Sequence, residues 1–140
     1  AMTEVASLAA ARAAEREFRW ADAAGAFRVV VTESGDPAAL EGLAQCGGWL
    51  DDGVLCLEAR EAAYRSYLDA GDALSAARAA TSLAWDSLLF GHGASVAQGW
   101  LGRARGLLAG VPETREHGWL AVREAELAHA AGHDQAVSLQ

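Results

Sequence analysis

The chain has 140 residues, of which 52% are hydrophobic and 21% charged, and its formal net charge at pH 7 is −8. Such a composition is ordinary for a folded soluble protein, and the length allows one domain with a real core. Its acidic balance and the absence of any arginine cluster argue against direct nucleic-acid binding by this segment.

Two further function classes are disfavoured by what the sequence lacks. Every apolar run is much shorter than the roughly 20 residues needed to span a bilayer, so no transmembrane helix and no membrane association is expected. Cys46 and Cys56 belong to no CxxC or paired Cys/His metal motif. They are therefore expected to be reduced thiols of a cytoplasmic protein.

Helix formers dominate the chain, and glycine-containing breaks divide it. Strong breaks, in which a Gly is followed by a helix cap or Pro, occur at 34–37, 70–72, 109–112 and 132–134. Weaker breaks occur at 19–22, 51–53 and 91–93. Together the breaks predict seven helices, at about 3–18, 22–33, 37–49, 53–69, 73–90, 94–109 and 114–131. An eighth helix is expected to begin at Asp134 and to be truncated at Gln140.

Short connections make neighbouring helices antiparallel, which predicts a series of helical hairpins. When the second helices of the hairpins are aligned, small residues recur at intervals of 33, 41 and 39, at Ala23, Cys56, Ala97 and Ala136. Seven residues after the first three come Val30, Ala63 and Ala104, on the same helical face. The tetratricopeptide repeat has 34 residues and places small residues where its two helices touch. We therefore expect an all-α, right-handed array of tetratricopeptide-like hairpins over residues 1–140.

The stretch from Glu41 to about Ala128 resembles the helical-repeat region of actinobacterial LuxR-type transcriptional regulators. The segments that carry the resemblance are 48–52 (GWLDD), 58–65 (EAREAAYR), 83–86 (LAWD) and 116–120 (EHGWL). The chain has no Lys, Asn or Ile, which is typical of a G+C-rich genome and fits such an origin.

In that family such arrays sense signals or bind partners, while a separate helix-turn-helix domain binds DNA. This sequence has neither a phosphate-binding loop nor a basic helix-turn-helix segment. The resemblance therefore implies a fragment of a longer regulator, with any DNA contact made by a domain that is absent from this segment.

The five tryptophans allow two interpretations. Core packing is the first expectation, because an indole buries a large area between helices. The alternative is that the first helix of each hairpin lines a concave surface on which aromatic side chains anchor a ligand. On that alternative, one shared groove would be lined by Gln45, Trp49, Trp85, Asp86, Trp119, Arg123 and Glu126.

No catalytic residue, metal or cofactor is predicted. Glu126, His129 and His133 have spacings that could suit a metal on a helix, but Gly132 is expected to end the helix between the histidines. Residues 91–93 lack the lysine and glycine spacing of a phosphate loop. His117 has no nucleophile or oxyanion donor near it in sequence and is expected at the start of a helix.

The function expected from these observations is protein or peptide binding without catalysis. It includes self-association through the apolar face that the truncated eighth helix would leave. One alternative is a small-molecule-sensing receptor whose pocket is the tryptophan-lined groove. A third and weaker hypothesis is an enzyme with a carboxylate or metal site around Glu126 and His129.

Overall fold

The computed structural model describes the backbone of residues 2–138 and the side chains of residues 8–132. Within these limits the chain forms seven α-helices and no strand, which confirms the all-α prediction. The helices are α1 (Met2–Arg16), α2 (Trp20–Ser34), α3 (Pro37–Trp49), α4 (Gly53–Asp69), α5 (Ala73–Leu89), α6 (Ala94–Leu108) and α7 (Arg115–Ser138). The first six predicted helices agree with these bounds to within two residues at each end.

The predicted eighth helix is wrong, because α7 continues without a break to Ser138. The glycines that do end helices, such as Gly35 and Gly71, adopt positive φ angles of 66° and 74°. Gly132 instead keeps a helical conformation within α7. A glycine inside a helix costs only about 1 kcal/mol relative to alanine, and no proline follows this one to enforce a stop.

The chain divides into two compact units, Ala1–Ala70 and Gly71–Gln140. In the first unit, α2 packs on α1 and on α3, α3 packs on α4, and α1 makes a smaller contact with α3. In the second unit, α5, α6 and α7 each pack on the other two. Each unit therefore contains at least one complete hairpin of helices joined by a short turn.

The turns inside the three hairpins, which follow α1, α3 and α5, share one backbone geometry. A residue in the left-handed conformation follows the first helix, and the next N–H donates back across the turn to a carbonyl five residues earlier. The left-handed residues are Phe18, Asp51 and Gly91, with φ angles of 61°, 56° and 79°. The returning bonds are Arg19 N to Ala14 O at 2.9 Å, Asp52 N to Gly47 O at 2.8 Å and His92 N to Ser87 O at 2.8 Å. Three hairpins with the same turn thus recur along the chain.

The small residues aligned from the sequence lie where expected. Ala23, Cys56 and Ala97 are fully buried, and each donates its N–H to the carbonyl of the residue that caps its helix. Val30, Ala63 and Ala104 are buried two turns along. The fourth aligned residue, Ala136, has a side chain outside the described range. The hairpin period is therefore present in the packing, whereas the tetratricopeptide-like and right-handed arrangement remains a prediction.

The core is built mainly of alanine. In the first unit, Ala11, Ala23, Ala39 and Ala44 are fully buried around Phe27, the largest side chain of that cluster. The helices consequently approach closely, since an alanine core leaves little space between helix axes.

Candidate functional site

Three of the five tryptophans are exposed at the surface. Trp49, Trp85 and Trp119 are 63%, 39% and 54% exposed, and Trp20 and Trp100 are half-buried. The expectation that tryptophans fill the core is therefore wrong for these three exposed residues, whereas Trp20 packs against the core of the first unit.

In the second unit, the structure brings three of the predicted residues together. The Arg123 guanidinium carbon of α7 lies 4.7 Å from the ring centroid of Trp85 on α5, within cation–π distance. Arg123 Nη1 also donates to Glu126 Oε2 at 2.7 Å. Trp119 lies one turn before Arg123 on the same face of α7, because residues four apart are neighbours on a helix. We call Trp85, Trp119, Arg123 and Glu126 the α5–α7 surface.

A second contact between α5 and α7 shows the relative direction of the two helices. Arg78 Nη1 lies 3.9 Å from Glu116 Oε1, and Glu116 is almost fully buried. From this ion pair to the Trp85–Arg123 contact, the chain advances seven residues on both helices. The two helices are therefore parallel, as expected for the first helices of consecutive hairpins.

The remaining predicted groove residues, Asp86, Gln45 and Trp49, lie outside the α5–α7 surface. Asp86 is only 5% exposed, so little of it is accessible to a partner, and its predicted place in a groove stays a prediction. Gln45 and Trp49 are exposed one turn apart on α3, in the first unit. A single groove that joins these two residues with the α5–α7 surface stays a prediction.

The first unit has an aromatic cluster that the sequence reasoning did not include. The Trp49 ring stacks on Trp20 with centroids 5.4 Å apart and an interplanar angle of 9°. Phe18 lies 6.0 Å from Trp20, tilted by 56°, and is 75% exposed. We call Phe18, Trp20 and Trp49 the aromatic cluster. The available signal was the pair of aromatic residues flanking a predicted hairpin turn, a position open to solvent.

Charged residues surround the aromatic cluster. Arg19, between Phe18 and Trp20, bonds Glu17 at 2.8 Å and Asp22 at 3.1 Å. Its hydrogen bonds to Glu17 and then to Asp22 raise the pKa of the guanidinium above its ordinary value. Asp51, at the left-handed position of the second hairpin turn, adds an exposed carboxylate two residues from Trp49.

The histidines and Cys46 are candidate sites of chemistry because imidazoles and thiols can bind metals or react. His117 Nδ1 accepts the Thr114 N–H at 2.9 Å at the start of α7, as its predicted position at a helix start suggested. His129 is exposed, and the His133 side chain lies outside the described residues. Among the side chains at 8–132, no group of three or more His, Cys, Asp or Glu could hold a metal ion. Cys46 is buried, and this burial raises the pKa of its thiol to about 11.

A groove of about 440 Å³ lies between α6 and α7 in the second unit. Its floor includes Leu101 and Leu127, and the Arg105–Glu124 ion pair, at 3.1 Å, borders it. The groove is open to solvent, and no tryptophan lines it. It therefore differs from the enclosed, tryptophan-lined pocket expected of a small-molecule receptor.

No helix in the described part of the chain is both long and apolar enough to cross a membrane. Comparison with protein-family models, with curated proteins and with solved structures found no match to this chain.

Proposed function

We propose that this chain is a protein- or peptide-binding module of a cytoplasmic bacterial regulator and that it acts without catalysis. The observation that carries the proposal is the exposure of Trp119 and Trp85 on the parallel helices α5 and α7. Exposed indoles on a rigid helical scaffold are characteristic of interaction surfaces, where tryptophan contributes more binding energy than most residue types.

The α5–α7 surface suits a macromolecular partner because its side chains are already oriented before a partner binds. The Trp85 ring is covered on one side by Arg123, and Arg123 is itself oriented by Glu126. A partner then meets side chains that have already lost part of their rotamer freedom, which lowers the entropic cost of association.

The regulatory role is supported by the resemblance to LuxR-type regulators. Three of the resembling segments contain exposed tryptophans, namely 48–52 with Trp49, 83–86 with Trp85 and 116–120 with Trp119. The same side chains that carry the resemblance are thus available to a partner. On this proposal, DNA contact belongs to another domain of the full-length regulator.

The small-molecule alternative has less support. A receptor pocket for a drug-sized ligand encloses most of the ligand's surface. The groove between α6 and α7 has a suitable volume, about 440 Å³, but it is open and has no aromatic wall. A flat, exposed tryptophan surface favours a protein or peptide.

The proposal is tested by recovering a partner with the wild-type chain and purifying it. Calorimetry then compares the partner's affinity for the wild type with its affinity for single variants. Trp119→Ala is expected to weaken binding by at least about 10-fold, because interface tryptophans often contribute 2 kcal/mol or more. Val96→Ala, at a 44% exposed position on α6, is the matched control and should bind as the wild type does. Equal affinity of the wild type, Trp119→Ala and Trp85→Ala for every recovered partner would contradict the proposal.

A further inference from the structure

The residue at the left-handed position of the first hairpin turn is unusual. Asp51 and Gly91 occupy the equivalent positions of the other two turns, and glycine or a short polar residue is what such a position favours. Phe18 adopts a φ of 61° there although it is bulky. Because 75% of the residue is exposed, burial of the ring gives little stability in return. Folding alone would favour glycine, so the phenyl ring is retained at a cost.

That strained position places Phe18 beside two further rings. One face of the Trp49 indole lies on Trp20, and Trp49 is nevertheless 63% exposed, so its other face is open to solvent. Phe18, tilted by 56° to Trp20, adds a further exposed ring to the cluster. Such a surface of exposed π faces attracts cations, because the faces carry partial negative charge.

The local charge has the sign that complements a cation. The turn segments 17–22 and 49–54 carry four carboxylates and one arginine. That arginine, Arg19, is already paired with Glu17 and Asp22. Asp51 is exposed next to the turn that follows Trp49. An incoming cation therefore meets open ring faces within a field of net negative charge.

Two indoles of the chain already hold an arginine over the ring. The Arg103 guanidinium lies 4.4 Å from the Trp100 ring centroid, and Arg123 lies 4.7 Å from that of Trp85. A planar guanidinium stacks on an indole and still donates hydrogen bonds in its own plane, which an ammonium group cannot do.

We propose that the aromatic cluster binds an arginine side chain of a basic segment in a partner protein. The guanidinium would stack on the open face of Trp49 and donate to the Asp51 carboxylate, and Phe18 would pack against the arginine's aliphatic part. This inference rests on the proposed protein-binding function and gives the chemistry of one partner contact.

The experiment uses a capped peptide of three Gly-Arg-Ser repeats, titrated into the chain and followed by indole fluorescence and calorimetry. Two matched peptides carry citrulline or lysine in place of arginine. The arginine peptide is expected to bind at least about 5-fold more tightly than the citrulline peptide and measurably more tightly than the lysine peptide. Equal binding of the arginine and lysine peptides would indicate nonspecific attraction to an acidic protein and would overturn the proposal.

The variants separate binding from folding. Phe18→Gly relieves the left-handed strain and is expected to stay folded, which circular dichroism and thermal unfolding of each variant check before the titration. Trp49→Ala should lower the affinity for the arginine peptide by about 10-fold, whereas Trp119→Ala, in the second unit, should leave that affinity unchanged. Unchanged binding by Phe18→Gly and Trp49→Ala would overturn the inference. So would sedimentation showing that the aromatic cluster pairs two copies of the chain.

The two proposals fail separately. If a recovered partner depends on Trp119 but the arginine peptide does not bind, the protein-binding function stands and the arginine site is rejected.

Discussion

A methyl group added at Gly47 would lie 2.8 Å from the backbone nitrogen of Cys56 and 3.1 Å from its Cα. Both separations are shorter than normal van der Waals contact, so α3 and α4 meet here backbone to backbone. Equivalent positions in the other hairpins hold Ala14 and Ser87, which are also small and buried. The two helices of the second hairpin therefore approach each other more closely at this point, where a side chain larger than that of glycine would force the backbone to shift.

We expect Gly47→Ala to destabilise the chain by roughly 1–3 kcal/mol, since the obstructing atoms are backbone atoms that cannot rotate away. Gly48→Ala is the matched control, because its nearest neighbour is the Cys56 sulfur at an ordinary 3.9 Å. The control should be neutral or stabilising by up to about 1 kcal/mol, as alanine favours the helix. Urea denaturation of both variants checks the prediction, which equal stabilities would contradict.

The same packing explains what could be read from the sequence and what could not. Helix ends were predictable because Gly35, Gly71 and Gly110 have both the residue type and the conformation of a helix stop. Gly132 has only the residue type. The burial of Ala23 and Cys56 was predictable from their spacing.

The surface positions of the tryptophans were harder to predict. Hydrophobicity assigns an indole to the core, but residue type alone does not specify which face of a helix packs against its neighbours. The contact between Arg123 and Trp85 likewise needs the parallel register of α5 and α7. The left-handed conformation of Phe18 could not be predicted, because it follows from the turn and not from the residue's side chain.

The strain at Phe18 can be measured with two substitutions at that position. Phe18→Gly and Phe18→Ala both remove the ring, but only alanine retains a Cβ in the left-handed conformation. The glycine variant should therefore be more stable than the alanine variant by about 1 kcal/mol. Thermal unfolding of the pair gives this difference directly. If alanine were as stable as glycine, residue 18 would not hold a positive φ in solution.

The cap of α5 gives a prediction for low pH. Asp72 Oδ1 accepts the Ser75 N–H at 3.1 Å. The Ser75 side-chain hydrogen bond and then its backbone N–H lower the pKa of the Asp72 carboxyl below its ordinary value of 3.8. A lowered folded-state pKa stabilises the chain above pH 3.8, and this contribution is lost as the pH falls further.

Asp72→Ala should cost about 1 kcal/mol at pH 7, because the N–H of Ser75 loses its acceptor. Asp72→Asn keeps an acceptor and should retain most of the stability at pH 7. The difference between wild type and Asp72→Asn should shrink as the pH falls below 3.8, because the wild-type carboxyl then takes up a proton more readily in the unfolded chain than in the folded chain. Denaturation midpoints at pH 7 and pH 3 check both statements, and an alanine variant as stable as wild type at pH 7 would refute the capping role.

Cys46 gives the opposite pH dependence. Burial, with a smaller contribution from the nearby Glu15 carboxylate, raises the pKa of its thiol from 9.0 to about 11, although a backbone hydrogen bond lowers it slightly. Between these values the unfolded chain loses the Cys46 proton while the folded chain keeps it. The free energy of unfolding should therefore decrease as the pH rises from about 9 to about 11.

In Cys46→Ala the free energy of unfolding should decrease less over this pH range, because the variant has no thiol at residue 46 to ionise. This difference is independent of any effect of the substitution on stability at pH 7. At pH 8 the native thiol should resist a disulfide exchange reagent and react at once in urea, because a buried neutral thiol is a poor nucleophile. Denaturation of wild type and Cys46→Ala at half-unit pH steps isolates the titration of this group from every other pH-dependent change, because the two proteins share the rest of the sequence. Parallel curves for the two proteins would show that Cys46 ionises equally well in the folded and unfolded chain, and would place its thiol in contact with water.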